Sequence, residues 1–487
     1  MAPVGRPRGG VWVDGAERAG SGDVLTVRHP YDGSVVGEVQ TAGADDVAAA
    51  VASAARTFES TMRRMPAHER ARILRATAAY LRSDVEQLTK ALVLEVGKPI
   101  RDARREAGRA ADLFELAADL VSTLEGEVLT MDAMRGGENR FGFTLRVPVG
   151  VIAALAPFNS PINLSVNKIA PALAAGNAVV LKPASKTPLS GLYLARALKE
   201  GGLPDGALNV VIGSGEVVGT PLVSDPRVRM VTFTGSVAAG LAISRVAGVK
   251  KLALELGSSS ANIVCADADV QAAAKALATS AYLSSGQACI SAQRLIVHED
   301  VYDQFVELFV AAARQMKIGD PLDDATEIGP MVSERDIERV LGWIDEARTA
   351  GAEVLTGGDR VGNTIAPTLV RDVPPTASLA CEEAFAPVAT IATFRTIDEA
   401  LALANDSPFG LQGGVYTNDL GTALRFAKEF DVGGMWINDS SRYRQDNYPF
   451  GGMKLSGIGR EGVRYAMEEM TDLRFVGVKL GPSTGIL

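Results

Sequence analysis

From Gly150 onward the chain alternates short apolar runs with amphipathic stretches, and this alternation constrains the fold of the 487 residues more than any other feature. The runs Val151–Ala156, Ala178–Lys182, Leu208–Ile212, Met230–Phe233 and Lys251–Leu256 read as strands. Between them, apolar residues at three- and four-residue intervals over Pro161–Ala175, Pro188–Gly201, Glu216–Val223 and Val237–Val246 read as helices. Repeated βα alternation with nearly all-apolar strands implies a parallel sheet covered by helices on both faces. A second series follows Gly257, with strands at Ile263–Cys265 and Arg294–His298 and helices at Val270–Leu283, Tyr302–Met316 and Ser333–Ala350. Two α/β units of this kind leave a ligand cleft at their junction.

The chain before Gly150 is patterned differently. Residues 1–43 are short strand and turn material, and helices are expected over Asp45–Phe58, Pro66–Lys90 and Ile100–Glu125. Glu127–Leu145 breaks that period and ends in alternating Phe141, Phe143 and Leu145, as a β-hairpin would.

Composition removes several classes of function. A formal charge of −9 offers no basic face to displace counterions from a nucleic acid. The three histidines lie far apart and form no cluster with cysteine, so no metal is expected. Three cysteines, Cys265, Cys289 and Cys381, cannot make a disulfide framework and fit a reducing compartment. With no run of about 18 apolar residues and no leader-like start, the expectation is a cytoplasmic protein without a membrane partner.

Several segments at the ends of expected strands carry reactive groups. Cys289 follows the small, flexible turn Ser284-Ser285-Gly286-Gln287-Ala288. A lone cysteine serves either as a small buried hydrophobe or, once ionised, as a nucleophile. Glu255 closes an apolar strand, as an ion-paired residue or as a carboxyl whose burial makes it a usable base. Asn159, between Pro157-Phe158 and Ser160-Pro161, either makes a turn or offers its amide to an oxyanion. Lys182-Pro183-Ala184-Ser185 and Phe233-Thr234-Gly235-Ser236 end two more strands, the second just before a helix whose free N–H groups suit a phosphate. The run from Gly213 through Gly215 to Gly219 is like a dinucleotide loop with one residue too many in its last gap.

Taken in order with Glu255-Leu256-Gly257, Gly286-Gln287-Ala288-Cys289, Glu382-Glu383-Ala384-Phe385-Ala386-Pro387 and Pro449-Phe450-Gly451-Gly452, these segments resemble the aldehyde dehydrogenase superfamily over essentially the whole chain. The resemblance implies two Rossmann-like α/β domains with a small β oligomerisation arm. The NAD(P)-binding domain would span 1–125 and 146–257, with 448–470 returning to it. Residues 258–447 would form the catalytic domain, and 126–145 with 471–487 the arm of a homodimer or homotetramer. It also implies roles. Cys289 is the nucleophile, Glu255 the base that activates water, and Asn159 an oxyanion donor together with the N–H of Cys289. Lys182, placed among the catalytic residues, also holds the cofactor ribose; Ser236 holds the pyrophosphate, Glu383 the nicotinamide ribose, and Phe385 packs near the nicotinamide. Ala156, Pro157, Phe158, Ser185, Gly215, Gly219, Phe233, Gly235, Leu256 and Gly257 complete the expected NAD or NADP cleft.

Three departures from the family pattern stand out: Ser258-Ser259-Ser260 after Gly257, Ala386 in place of glycine, and Ser185 where NAD-preferring members often carry glutamate. The last implies tolerance of NADP, with Lys186 assisting. The stretch Trp436–Pro449 is similar to the loop of the lactaldehyde dehydrogenase and non-phosphorylating glyceraldehyde-3-phosphate dehydrogenase branch. Arg444 on that loop and Arg109 on the helix Ile100–Glu125 are the expected anion contacts, and Ala288, Ile290 and Phe450 the expected substrate walls. Ala288 stands where phosphate-handling members carry arginine, so the expected substrate is a small hydroxylated or singly anionic aldehyde. Two other readings remain open. One is a CoA-acylating enzyme, which has no use for Glu255, and the other is a non-catalytic protein that keeps the fold.

Overall fold

Five parallel strands in the order Leu208–Val211, Ala178–Lys182, Val151–Leu155, Val228–Thr234 and Lys251–Glu255 form the centre of the first sheet. Antiparallel edges extend it: Val11–Val13 and Ala16–Arg18 on one side, Gly457–Ile458 on the other. Counted along the chain, the order of the five is 3-2-1-4-5, so the winding reverses between Val151–Leu155 and Val228–Thr234. Such a reversal opens a crevice at the carboxyl ends of the strands. The computed structural model describes residues 9–481; the expectations for residues 1–8 and for 482–487 of the arm lie outside them.

A second sheet takes the next stretch of chain, with the order Glu353–Thr356, Thr368–Arg371, Val388–Phe394, Arg294–His298, Ala261–Val264, Gln412–Tyr416 and Gly434–Ile437. All but the first of these strands run parallel. The chain crosses from the first sheet to the second between Glu255 and Ala261, and Gly457–Ile458 brings it back to the first. The architecture is mixed α/β, as the alternation of strands and helices requires.

The helix Pro161–Ala174 is buried along its whole length, its polar members Asn163, Ser165, Asn167 and Lys168 together with its apolar ones. Proline at its first position needs no N–H partner there. The next two donors, Ile162 N and Asn163 N, go to the Glu106 carboxylate of the helix Ile100–Leu120, at 3.0 and 3.3 Å. Glu106 is in turn ion-paired with buried Lys98. This arrangement fixes the start of the helix and hence Asn159, two residues before it.

Three elements differ from the sequence expectation. The helix expected over Pro66–Lys90 is two, Ala67–Ser83 and Val85–Val96, because Asp84 leaves helical geometry and accepts a 2.7 Å hydrogen bond from the Tyr193 hydroxyl. The helix expected over Glu216–Val223 is a wide turn, Gly215–Gly219, and one short helical piece, Thr220–Ser224, in which Pro221 has no N–H to donate. The hairpin expected within Glu127–Leu145 is only a two-residue pairing. The strand Arg140–Pro148 instead pairs along its full length with the distant Thr471–Lys479. Among the described residues no helix is long and apolar enough to cross a membrane.

Asn177 knits this framework together. Fully buried, it accepts from Gly150 N at 2.9 Å and donates to Ala172 O at 3.2 Å and Met470 O at 3.0 Å, joining the first core strand, the buried helix and the returning chain. Asn177→Ala strands these groups away from water and is expected to lower the unfolding free energy by about 2–4 kcal/mol. Urea denaturation reads this directly; a loss under about 0.5 kcal/mol, the range of neutral surface changes, would contradict it.

Candidate active site

Parallel pairing sets the site. Leu155 is in register with both Lys182 and Phe233, and Thr234 with Glu255, so the carboxyl ends of four strands stand side by side at one level. Ala156, Lys182, Gly235 and Leu256 follow at that edge. Cys289 reaches the same region from the other unit, after the helix Val270–Tyr282.

The turn before Cys289 is strained. Ser284, Ser285 and Gly286 have φ of 54°, 57° and 65°, three successive left-handed residues. The two serines cost roughly 1–3 kcal/mol each in that conformation. A side chain at 286 is excluded, since its Cβ would lie 2.0 Å from the Ala386 carbonyl oxygen. Hydrogen bonds hold the turn: Ser285 Oγ donates to Gly329 O at 2.7 Å, Ser284 Oγ to Asp102 Oδ2 at 3.1 Å and Ser291 Oγ to Gly286 O at 3.2 Å. Val332 N donates to Gln287 Oε1 at 3.1 Å. Asn159 Nδ2 donates to Gln287 O at 2.9 Å, which ties its amide to the cysteine loop.

Cys289 is half-buried on a cavity of about 800 Å³ that Asn159, Ala288 and Ile290 also line. Behind it Ile290, Leu411 and Phe450 pack as an apolar cluster with Ala288 and Tyr448 against them. Burial pushes the Cys289 thiol up to about 12, and the Glu383 carboxylate adds to this; Arg444 opposes it.

Glu255 is buried, with Oε2 lacking a hydrogen-bond partner among the described residues, and a Cβ on Gly451 would lie 2.8 Å from Oε1. Burial raises its carboxyl well above the ordinary range, and the charge of Glu461 raises it further against Arg444 and Lys168. Burial acts on Glu461 in the same direction, but Lys168 at 2.8 Å and Arg444 at 2.5 Å overcome it and hold that carboxyl at about 2. Lys168 also donates to Thr234 Oγ1 at 2.6 Å.

The residues expected to hold a cofactor occupy the crevice side of the first sheet. Burial brings Lys182 down to about 8, and among the described residues its Nζ reaches only the Pro183 carbonyl, at 3.5 Å. A Cβ on Gly219 would lie 3.8 Å from the Lys182 stem, and Gly215 has open space where a Cβ would stand. Ser236 caps the helix Val237–Ala247 through Ala239 N, and Ser185 Oγ donates to Gly213 O at 2.8 Å. Lys186 is turned to the Val332 carbonyl, at 3.4 Å. Across from the sheet, Glu383 accepts from Ser258 N at 3.0 Å and abuts Gly257; burial lifts its carboxyl to about 7. Phe385 and Phe158 meet edge to face, with ring centroids 5.8 Å apart. A buried ammonium, a half-buried carboxylate and a capped helix start are donors and acceptors suited to the riboses and phosphates of a dinucleotide.

Both arginines expected to meet an anion line the cavity, and each already has a carboxylate. Arg109 makes a two-pronged pair with Asp446 at 2.5 and 2.6 Å; Arg444 pairs with Glu461 and stacks on Phe450, 3.8 Å from the ring centre. This differs from the sequence expectation of guanidiniums available for substrate, since Asp446 and Glu461 already face them. Lys168 and Glu461 were not among the expected residues. Their signal was available: a lysine inside a mostly apolar helix must find a buried counterion.

A half-buried cysteine on the cavity, a buried glutamate at a strand end and an asparagine amide tied to the cysteine loop are carried by two α/β sheets. Residues 16–476 match the Aldehyde dehydrogenase family. The chain is 42% identical to a 3-sulfolactaldehyde dehydrogenase of Priestia aryabhattai, over 97% of this chain and 98% of that protein. Among solved structures it resembles the NAD-dependent aldehyde dehydrogenase of Sinorhizobium meliloti (39% identity, 100% and 97% of the two chains, TM-score 0.94). It also resembles the glyceraldehyde-3-phosphate dehydrogenase GapN of Methanocaldococcus jannaschii complexed with NADP (39% identity, 93% and 99% of the two chains, TM-score 0.89). The chain belongs to the aldehyde dehydrogenase family and is an oxidoreductase acting on aldehydes.

Two outcomes follow from these electrostatics. Glu461→Gln leaves Lys168 and Arg444 buried around a neutral amide and is expected to cost about 3–5 kcal/mol at pH 7. Because the folded-state value of about 2 lies below the ordinary glutamate value, the wild-type advantage is complete above about pH 4.3 and shrinks as pH falls toward 2. Thermal unfolding of both proteins across that range tests this, and a gap independent of pH would contradict it. In the cofactor-free protein, alkylation of Cys289 by iodoacetamide should keep rising with pH past 10. Glu383→Gln removes a charge that opposes the thiolate, so alkylation at pH 8 should quicken; slowing would contradict the assigned influence of Glu383.

Proposed function

We propose that this protein oxidises a small hydroxylated or singly anionic aldehyde to its carboxylic acid with NAD or NADP. Cys289 carries the substrate as thiohemiacetal and then thioester, and Glu255 activates the water that hydrolyses it. The observation that carries this reading is Glu255 Oε2, a buried carboxyl oxygen without a hydrogen-bond partner among the described residues, on a group whose charge is felt at Cys289.

The Cys289 sulfur adds to the aldehyde carbon, and the oxyanion that forms is met by an Asn159 amide hydrogen. An amide has two such hydrogens, and the bond to Gln287 O uses one. Bound NAD(P)+ supplies the acceptor for the hydride that leaves this carbon. Lys182, Ser236 and Glu383 would hold that cofactor by its riboses and pyrophosphate, with Ser185, Gly215 and Gly219 leaving room for it. Glu255 then takes a proton from water as the oxygen adds to the thioester. The tetrahedral centre collapses, the C–S bond breaks, and the acid leaves with the Cys289 thiol restored. Burial and the charge of Glu461 raise the proton affinity of Glu255 above that of an ordinary carboxylate, which strengthens it as a base. A water base also favours hydrolysis over transfer to CoA. Exposed Leu145, Leu473 and Phe475 on the sheet of Arg140–Pro148 and Thr471–Lys479 support a homo-oligomer, dimer or tetramer, that covers them.

Glu255→Gln is expected to give a burst of reduced cofactor near one per site and then turnover lowered about 10²–10⁴-fold, without CoA present. Intact-mass analysis should show the acyl group on Cys289. Undiminished turnover, or no burst and no adduct, would contradict the assignment.

A further inference from the structure

The cavity that holds Cys289 is lined by several cations, and their pairing is uneven. Lys98 is matched by Glu106, Arg109 by Asp446 and Arg444 by Glu461. Arg105 lies mostly in solvent, 3.7 Å from Asp102, and Lys275 is exposed. Arg442 is different. It has no carboxylate within 4 Å among the described residues, and its two terminal nitrogens donate to neutral hydroxyls, Nη1 to Ser291 Oγ at 3.1 Å and Nη2 to Ser284 Oγ at 3.2 Å. Those serines flank Cys289 on either side, so the guanidinium bridges the two arms of the cysteine loop. The carboxylate charge that reaches it, Asp102, is one hydroxyl removed, through Ser284 Oγ at 3.1 Å.

A half-buried guanidinium faced only by hydroxyls is costly until an anion joins it. It also keeps unused N–H groups in a planar fork suited to an oxyanion, because two of its five are engaged. Neither argument applies to Arg109, which makes a two-pronged pair with Asp446, or to Arg444, which pairs directly with Glu461 and stacks on Phe450.

We propose that Arg442 is the specificity-determining residue of the cavity. It receives the oxyanion tail of the substrate, a carboxylate or sulfonate, while the aldehyde carbon of the same molecule meets Cys289. This rests on the proposed thioester chemistry at Cys289 and narrows its substrate to an acidic aldehyde.

The test compares wild-type, Arg442→Gln and Arg442→Lys enzymes on succinic semialdehyde and 3-sulfolactaldehyde, with butanal and lactaldehyde as the matching neutral compounds. Wild type should favour the acidic member of each pair. Arg442→Gln should lower the acidic-to-neutral ratio of kcat/KM about 10- to 100-fold, the worth of a hydrogen bond to a charged group, and Arg442→Lys should recover part of it. The carboxylate and sulfonate pairs show which tail is preferred. An equal loss on acidic and neutral aldehydes would mean that Arg442 only braces the cysteine loop and would overturn the proposal. So would a wild-type enzyme without acidic preference, a result that needs no variant to fold. A second readout is independent of turnover: succinate and methanesulfonate should protect Cys289 of wild type from iodoacetamide and should protect the glutamine variant less. If no aldehyde of either kind reduces the cofactor, the oxidation reading fails, and protection by these anions still decides the role of Arg442.

Discussion

The site depends on one buried carboxylate. Glu461 is ionised because Lys168 and Arg444 are both within 3 Å of it, and each of those cations is buried only because Glu461 is there. Lys168 belongs to the buried helix Pro161–Ala174, and Arg444 to the loop that lines the cavity. Main-chain bonds between Glu461 and Phe450, 2.6 and 2.9 Å, fasten the same point to the apolar wall behind Cys289. The cluster holds two cations for one fixed anion. Glu255 therefore meets opposing influences: burial and Glu461 keep its proton on, while Arg444 and Lys168 make room for its charge. A carboxyl balanced in this way holds a proton more tightly than an ordinary glutamate, whereas one fully paired, like Glu461, gives it up.

The nucleophile is governed by shape more than by charge. Three left-handed residues aim Cys289 into the cavity, and hydroxyl and amide bonds from four separate segments of chain keep them so. The thiol itself is disfavoured as an anion by burial and by Glu383. A ligand that occupies Glu383 or adds positive charge at that end eases ionisation, so the structure carries a physical link between the cofactor crevice and the readiness of the thiol.

Much of this was legible in the sequence. Apolar runs of three to six residues with helical stretches between them suffice to specify parallel sheets, and Cys289, Glu255, Asn159 and Lys182 each stand out by lying at or just past the end of an expected strand or following a small-residue turn. What was not legible depended on partners far along the chain. The strand Arg140–Pro148 was visible as a strand, but its pairing with Thr471–Lys479 was not, because periodicity carries no information about the partner. Arg109 and Arg444 were visible as cations near the substrate, but their neutralisation by Asp446 and Glu461 required the fold. Asp84 ended a helix that periodicity alone would continue.

The two halves of the site are joined where backbone meets backbone. The Ala386 carbonyl occupies the space in which a side chain at position 286 would lie, so the segment bearing Glu383 and Phe385 and the turn bearing Cys289 cannot move independently. Gln293 strengthens the junction by accepting from Ala384 N at 3.1 Å and donating to Glu382 O at 2.8 Å. Ala386 is itself buried, as is Gly286 across from it. A displacement of Glu383 toward a ribose is then transmitted to the strained turn directly, over a single layer of atoms. The strain stored at Ser284 and Ser285 gives that turn a reason to respond, since both residues lie away from their preferred conformations and are kept there only by the contacts that such a displacement would alter.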